Sequence, residues 1–498
     1  MRININIKRL FHERAKPKSL CLLTPQTHLD IIIEMIRFYN TLSGRLEEFK
    51  PVKPGEVRLY TCGPTVYDYP HIGNYRAYIF EDLLKRFLLF SGFRVRHVMN
   101  ITDLDDKTIR GARSQGISLN DYTRKYIEAF FEDIKTMRIL PADVYPRATE
   151  HIPDMVRMVK GLLDKGYAYI KEGSVYFSIE KFPAYGRLSK INLDELKAGA
   201  RIDSDEYEKE SVHDFALWKK AKEGEPFWET ELGPGRPGWH IECSAMSTRY
   251  LGPTIDIHCG GIDNIFPHHE NEIAQSEAYY GQKFVNYWLH CHHLVVEGEK
   301  MSKSRGNFYR LRDLLNKDVD PLDLRFLLLS THYRKMLNFT FDNLPQAKAA
   351  RQRIIDFVYE LEHRTWASGS EPQVSALADK TLTEFTKTLA DDLNISAALA
   401  VVFDFIREIN LGLTRDMIKK TEAEKILKTI YKLDEILAIL PEKKDENLPA
   451  ELLEKIELRQ KARKEKNFKL ADSIREELRQ MGIILEDTKE GIRWKKIK

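Results

Sequence analysis

The sequence predicts an α/β protein with a Rossmann-like, parallel-sheet catalytic core broken by an insertion, then an α-helical bundle and a small C-terminal domain. Three observations predict it. Residues 57–101 read as strand, glycine turn, helix and strand, the pattern of a βαβ unit on a parallel sheet. Residues 142–234 are irregular and charged, and a breaker cluster, GPGRPG at 233–238, closes them. From Pro345 onward the apolar spacing is helical.

The elements follow in order. Residues 57–62 (VRLYTC) make a short buried strand that Gly63-Pro64 ends. Residues 74–91 place Ala77, Phe80, Leu84, Phe87 and Leu88 on one side of a helix, and 93–101 form the next strand. Residues 118–139 and 152–166 are helical in pattern, whereas 173–177 and 183–227 suggest short strands among irregular chain. Later strands are expected at 254–257 and 288–296. Helices at 346–365, 374–389, 395–410 and 422–440 compose the bundle. The resulting division is 1–34, a poorly ordered extension; 35–141, the first half of the core; 142–234, the insertion; 235–296, the second half; 297–344, a lysine-bearing loop region; 345–441, the bundle; and 448–498, the terminal unit, after a charged linker.

Composition sets limits. The chain has 498 residues, 43% apolar and 31% charged, which suits several globular domains. A net charge of +3 means that a polyanion must be met by a local patch. Such a patch exists at 455–498, where 14 Lys/Arg face 8 Asp/Glu and Arg493-Trp494-Lys495-Lys496 sets an aromatic among cations. Five cysteines are too few and scattered for a disulfide framework, so a reduced, cytoplasmic setting is expected. No run of about 18 apolar residues indicates a membrane span. Residues 1–34 are basic (Lys8, Arg9, Arg14, Lys16, Lys18) without a clear leader pattern, and a start at Met35 is the simplest reading.

Three motifs carry chemistry. His71-Ile72-Gly73-Asn74 stands where a strand meets a helix N-terminus, a place that favours anions. His71 there can donate to a phosphate oxygen as charge develops, and Gly73 admits a nucleotide closely. Taken alone, this reads first as an ordinary βα turn. Lys300-Met301-Ser302-Lys303-Ser304 suits a mobile clamp whose ammonium groups neutralise a leaving pyrophosphate; taken alone, it is equally a solvated basic loop. In that order, about 230 residues apart, the two are far more specific than either is singly. Third, Cys62, Cys243, His268 and Glu272 form a mixed sulfur, nitrogen and oxygen set suited to Zn²⁺, with His268 and Glu272 sharing one face if helical. His258, Cys259, His269 and the His290–His293 cluster compete as ligands, and spacing does not choose among them.

Together these residues resemble the class I aminoacyl-tRNA synthetases, and within them the cysteinyl-tRNA synthetase family, from about Met35 to the C-terminus. The resemblance rests on HIGN, KMSKS, GWHIECSAM and FPHHENE. It implies one zinc per chain on Cys62, Cys243, His268 and Glu272. It implies catalytic roles for His71, Asn74, Lys300 and Lys303, and ATP contacts from His71, Gly73, Gly261, Asp263 and Lys303, with Mg²⁺ accompanying ATP. It implies that Thr102 and Trp239 line the amino-acid pocket, and that 332–339 docks an acceptor stem. The implied activity is ATP-dependent activation of L-cysteine and its transfer to the 3′ end of tRNA(Cys), by a monomer with no membrane attachment. The physics agrees. A thiolate binds Zn²⁺ at ~2.3 Å and a neutral hydroxyl competes poorly, whereas an apolar pocket separates small groups by only ~1–3 kcal/mol. Two alternatives are a ligase joining cysteine to a small amine and a non-catalytic zinc- and nucleotide-binding module.

Overall fold

The computed structural model describes residues 36–191, 214–366, 373–415, 417–442, 450–465, 467–488 and 491–496. The expectation for 1–34 lies outside them, as does most of the linker at 441–447.

A hairpin, β1 (Arg37–Asn40) and β2 (Arg45–Glu48), opens the chain. Then come β3 (Glu56–Thr61), α1 (Ile72–Phe90), β4 (Arg94–Met99), α2 (Asp106–Gln115) and α3 (Leu119–Thr136). The insertion contains α4 (Ile152–Asp164) and the strands β5 (Ala168–Lys171), β6 (Ser174–Phe177) and β7 (Phe215–Lys220); β8 (Gly235–Pro237), just past the expected boundary at 234, completes their antiparallel sheet. The chain returns through α5 (Trp239–Leu251), β9 (Ile255–Gly261), α6 (Glu270–Tyr280) and β10 (Val285–Cys291). The central sheet is parallel throughout, in the order β10-β9-β3-β4. Parallel strands are covered on both faces, and alternate residues serve the two sides: Leu59, Ile257 and Leu289 pack toward α1, while Tyr60, Val98 and Trp288 pack toward α4 and α5.

A three-stranded sheet of β11 (Leu294–Val296), β12 (Glu299–Lys300) and β13 (Leu337–Phe339) follows, with α7 (Leu311–Leu315) and α8 (Pro321–Ser330) between β12 and β13. The bundle is α9 (Asn343–His363), α10 (Gln373–Ala390), α11 (Ile395–Thr414) and α12 (Lys420–Leu437). Two helices, α13 (Ala450–Lys464) and α14 (Phe468–Gln480), and the hairpin β14 (Ile483–Thr488) and β15 (Gly491–Lys496) end the chain.

Arginines join the bundle to the core. Arg325, fully buried on α8, donates to Asp82 of α1 at 2.6 Å, to the Leu437 carbonyl at 2.8 Å and to the Met137 carbonyl at 3.0 Å. Arg86 reaches the Glu435 carbonyl at 2.8 Å and Arg138 donates to the Leu440 carbonyl, while within the bundle Arg351 of α9 donates to the Ile439 carbonyl at 2.6 Å. Four guanidinium groups thus satisfy carbonyls at a helix C-terminus, where backbone partners run out and the dipole favours cations.

Several elements differ from expectation. Helix α1 begins at Ile72 rather than 74, because His71 and Asn74 cap it reciprocally, a feature apolar spacing does not register. The run at 288–296 is two strands in two sheets: the chain turns at His292, whose N–H donates to the Tyr333 carbonyl at 2.8 Å. Strand β9 runs on through His258-Cys259-Gly260-Gly261. Helix α5 escaped the apolar pattern because it buries His240, Glu242, Ser244, Ser247 and Thr248. His268 precedes α6, in a π-turn at Ile265–His269 with non-helical backbone at Phe266.

Candidate active site and metal centre

Ligands of open parallel sheets settle beyond the carboxyl ends of the strands, and the residues singled out above gather there. The turn after β3 is fixed by Gly63. Its N–H donates to Asn100 Oδ1 at 2.9 Å, and a Cβ at this position would lie 1.7 Å from the Asn100 carbonyl oxygen. That close approach sets Cys62 beside the end of β4. There Asn100 donates to Thr102 Oγ1 at 3.0 Å, and the Thr102 N–H donates to the Pro64 carbonyl at 3.1 Å.

Cys62, Cys243, His268 and Glu272 place one donor atom each within 4.8 Å of one another, and the last three are buried. Cys62, His258, His269 and Glu272 satisfy the same limit. Glu272 stands between the sets, with Oε1 3.1 Å from His268 Nε2 and Oε2 3.0 Å from His258 Nε2. His269 Nε2 is 3.2 Å from Cys62 Sγ; its Nδ1 is 2.8 Å from His290 Nε2, and His290 Nδ1 is 2.7 Å from Thr41 Oγ1. Trp239 stacks on His268 with centroids 4.1 Å apart, and Trp288 stacks on His258 at 4.5 Å. The imidazoles are therefore walled by indoles and tethered to one another.

The thiols are unequal. A hydrogen bond with Cys62 holds the Cys243 thiol well below its usual range, against burial and with help from His268. The same bond, then burial, pushes Cys62 up. Burial opposes charge on His268, but Cys243 and Glu272 outweigh it and raise its pKa. Burial, then Cys243, pushes Glu272 up. Ionisation of Cys62 and Glu272 is thus resisted in a dry cluster, and a divalent cation there would let both ionise beside Cys243. Glu272 Oε1 also has no partner with hydrogen-bond geometry despite its closeness to His268. A buried acceptor left without a donor, in a set of two sulfurs, an imidazole and a carboxylate, fits zinc.

The second cluster is built on α1. His71 is its N-cap: Nδ1 accepts from the Asn74 N–H at 3.3 Å, and Asn74 Oδ1 accepts from the His71 N–H at 3.0 Å. Burial, then the nearby Lys303 cation, lowers the His71 pKa to about 4. The ring is therefore neutral near pH 7, and because Nδ1 accepts, its proton sits on Nε2, a donor with no hydrogen-bond partner among the described residues.

Lys303, 235 residues beyond Asp68 in sequence, lies in the single turn Lys303–Arg305. Its Nζ is 2.7 Å from Asp68 Oδ2 and 5.3 Å from the centre of Phe308, whose ring meets His71 edge-on at 5.2 Å. A Cβ on Gly73 would lie 3.1 Å from the Met301 methyl, so the lysine loop touches the helix start. Lys300 is not drawn in likewise: it is exposed on β12 and ion-pairs with no described residue. Gly261 caps the short turn Ile262–Asn264 with open space around it, and Asp263 is exposed, 3.2 Å from His293 Nε2. Gly260, in contrast, is required: a Cβ would lie 2.8 Å from His269 Cε1. The His290–His293 cluster divides, with His290 facing His269 and His293 facing Asp263.

Sequence reasoning missed two groups. Asp68, three residues before His71, organises the lysine loop, but only the folded chain brings it to Lys303. Glu242, beside Cys243 and 1% exposed, has its carboxyl pushed well up by burial and by Cys243. Its place in GWHIECSAM was the available signal.

Three families match the chain. They are the tRNA synthetases class I (C) catalytic domain over residues 48–349, the DALR domain over 384–441 and the cysteinyl-tRNA ligase anticodon binding domain over 445–494. A cysteine–tRNA ligase of Protochlamydia amoebophila is 52% identical over 468 residues, 93% of this chain and 98% of that protein. One of Chlamydia muridarum is 50% identical over 472 residues, 92% and 99% of the two chains. Mycobacterium tuberculosis methionyl-tRNA synthetase in complex with methionyl-adenylate shares the fold, with a TM-score of 0.56 at 15% identity, covering 77% of this chain and 90% of that one.

Proposed function

This chain belongs to the cysteine–tRNA ligase family of class I aminoacyl-tRNA synthetases, and from that premise we propose how its own residues carry out the family's reaction. It is a ligase that activates L-cysteine with ATP and transfers it to tRNA(Cys). The cysteine carboxylate attacks the α-phosphate of ATP and pyrophosphate leaves; the terminal ribose hydroxyl of the tRNA then attacks the carbonyl carbon of the mixed anhydride, forming the ester and releasing AMP.

The convergence of Cys62, Cys243, His268 and Glu272 at the strand ends carries this reading. These four residues would hold one zinc. Bound there, zinc supplies a seat for the substrate thiolate that a serine hydroxyl fills poorly. Glu272, already shared between His268 and His258, is the ligand best placed to yield room. Trp239 and Thr102 flank the seat and orient the amino acid. His71 Nε2–H donates to a phosphate oxygen, and Lys303 follows the departing pyrophosphate. Gly73, Gly261 and Asp263 border the nucleotide, which arrives with Mg²⁺. Asn74 acts through His71 by holding its cap, and Lys300 belongs to the same lysine loop.

The helical bundle and the basic terminal unit meet the tRNA. No helix among the described residues is long and apolar enough to cross a membrane, and we read the enzyme as a cytoplasmic monomer. The test is metal analysis with charging assays. About one zinc per chain is expected, with its removal abolishing cysteine-dependent ATP–pyrophosphate exchange, and tRNA rather than a small amine as the acceptor. Metal-free protein of full activity, or serine charged as readily as cysteine, would overturn the assignment.

A further inference from the structure

We propose that Asp68 is a positioning residue that parks the Lys303 ammonium between turnovers and releases it to the polyphosphate when ATP enters. The proposal rests on the reading above that Lys303 contacts the phosphates of ATP.

The geometry is that of one carboxylate shared by two cations. Lys303 Nζ lies 2.7 Å from Asp68 Oδ2, and Arg310 Nη2 lies 3.1 Å from both carboxylate oxygens. The three differ in exposure: the Asp68 side chain is 18% exposed, that of Arg310 34% and that of Lys303 59%. Asp68 and Arg310 therefore form the fixed half. Arg310 is anchored beside α1 by a backbone bridge to His71 and lies over the Tyr69 ring at 5.6 Å. Lys303 is the movable half, on a single turn that Gly306 ends at φ +69°.

Each partner remains satisfied when Lys303 leaves. Asp68 keeps Arg310 and the Tyr69 N–H, which donates to it at 2.8 Å. Lys303 exchanges one carboxylate for several phosphate oxygens, a richer set of charge-assisted hydrogen bonds. Met301, packed at Gly73, keeps the loop beside the helix start during the exchange. Although burial opposes it, the hydrogen bond from Lys303 and the nearby Arg310 hold the Asp68 carboxyl below its usual range, so the resting partner is ionised. Parking also keeps the lysine from competing for other anions at the mouth of the site, and it lowers affinity for pyrophosphate by the strength of one partly exposed ion pair.

The experiment compares Asp68→Asn, Asp68→Glu and Glu299→Gln with the unaltered enzyme. Glu299 pairs with Arg305 at 2.9 Å in the same loop and serves as the control. Two quantities are read: equilibrium binding of inorganic pyrophosphate, and the rate at which an amine-acylating reagent labels Lys303 in nucleotide-free protein. Asp68→Asn is expected to bind pyrophosphate up to about five-fold more tightly and to label Lys303 faster. Asp68→Glu and Glu299→Gln should match the unaltered enzyme. Unchanged or weaker pyrophosphate binding with unchanged labelling in Asp68→Asn overturns the parking role. Lys303→Ala separates the two ideas: if it leaves ATP–pyrophosphate exchange intact, the reading of Lys303 fails; if it does not, only the role of Asp68 is at stake.

Discussion

Lys303 and His71 meet at the start of one helix in complementary charge states, a cation and a neutral donor. On the role proposed for Lys303, removing the cation removes stabilisation of the leaving group, so Lys303→Ala should slow adenylate formation by ~10²-fold or more, read as ATP–pyrophosphate exchange with cysteine. His71 makes a different prediction. Its pKa is about 4 against an ordinary 6.5, so the unfolded chain takes up this proton before the folded one does. The stability it contributes is complete above pH 6.5 and is lost as pH falls from there through about 4. Its ring resonances, followed by NMR, should hold constant from pH 8 to about 5; a midpoint near 6.5 would show the ring to be solvated and charged. At this scale much was legible. The sequence named Cys62, Cys243, His268, Glu272, His71 and Lys303, and the fold gathers them in two clusters. What it could not choose was which histidines stand nearest the sulfurs. His258 and His269 satisfy the same distance limit as Cys243 and His268, and it takes strand β9 for His258 and the π-turn before α6 for His268 and His269 to place each ring.

Among the elements, the turn after β3 is the most constrained. Gly63 has the Asn100 carbonyl where a side chain would begin, while Gly261, at the end of β9, has empty space. Gly63→Ala must displace backbone, and we expect a loss of about 3 kcal/mol or more, seen as a lower urea midpoint. Gly261→Ala should leave that midpoint unchanged. Both residues look alike in sequence, since each is a glycine at a strand end, so the difference was not legible. The same limit explains α5 and the π-turn before α6. Apolar periodicity reports elements that bury hydrocarbon, as in the bundle, where all four helices were foreseen. It is silent where a helix buries Glu242, Ser244 and Ser247 around a functional centre.

For the whole molecule, the buried arginine joint matters most. Arg325 and Arg86 hold the Asp82 carboxyl below its usual range against the opposing effect of burial. Arg325→Met would leave that carboxylate half-compensated in the interior and strip the Leu437 carbonyl of its donor. A cost of about 3–5 kcal/mol is expected, measurable as a fall in thermal midpoint. That core and bundle would be joined was legible only as their succession along the chain; the joint itself links residues more than a hundred positions apart, which no local pattern encodes.

The catalytic-domain match stops at residue 349, inside α9, yet the carbonyls that complete the joint lie at 435–440. The synthetic half of this enzyme is therefore not a portable cassette. A fragment cut at that boundary would keep Asp82 with its arginines but leave the Arg86, Arg138 and Arg325 guanidinium groups stripped of their carbonyl acceptors at 435–440, so grafting its chemistry onto another RNA reader requires the last turn of α12 to travel with it.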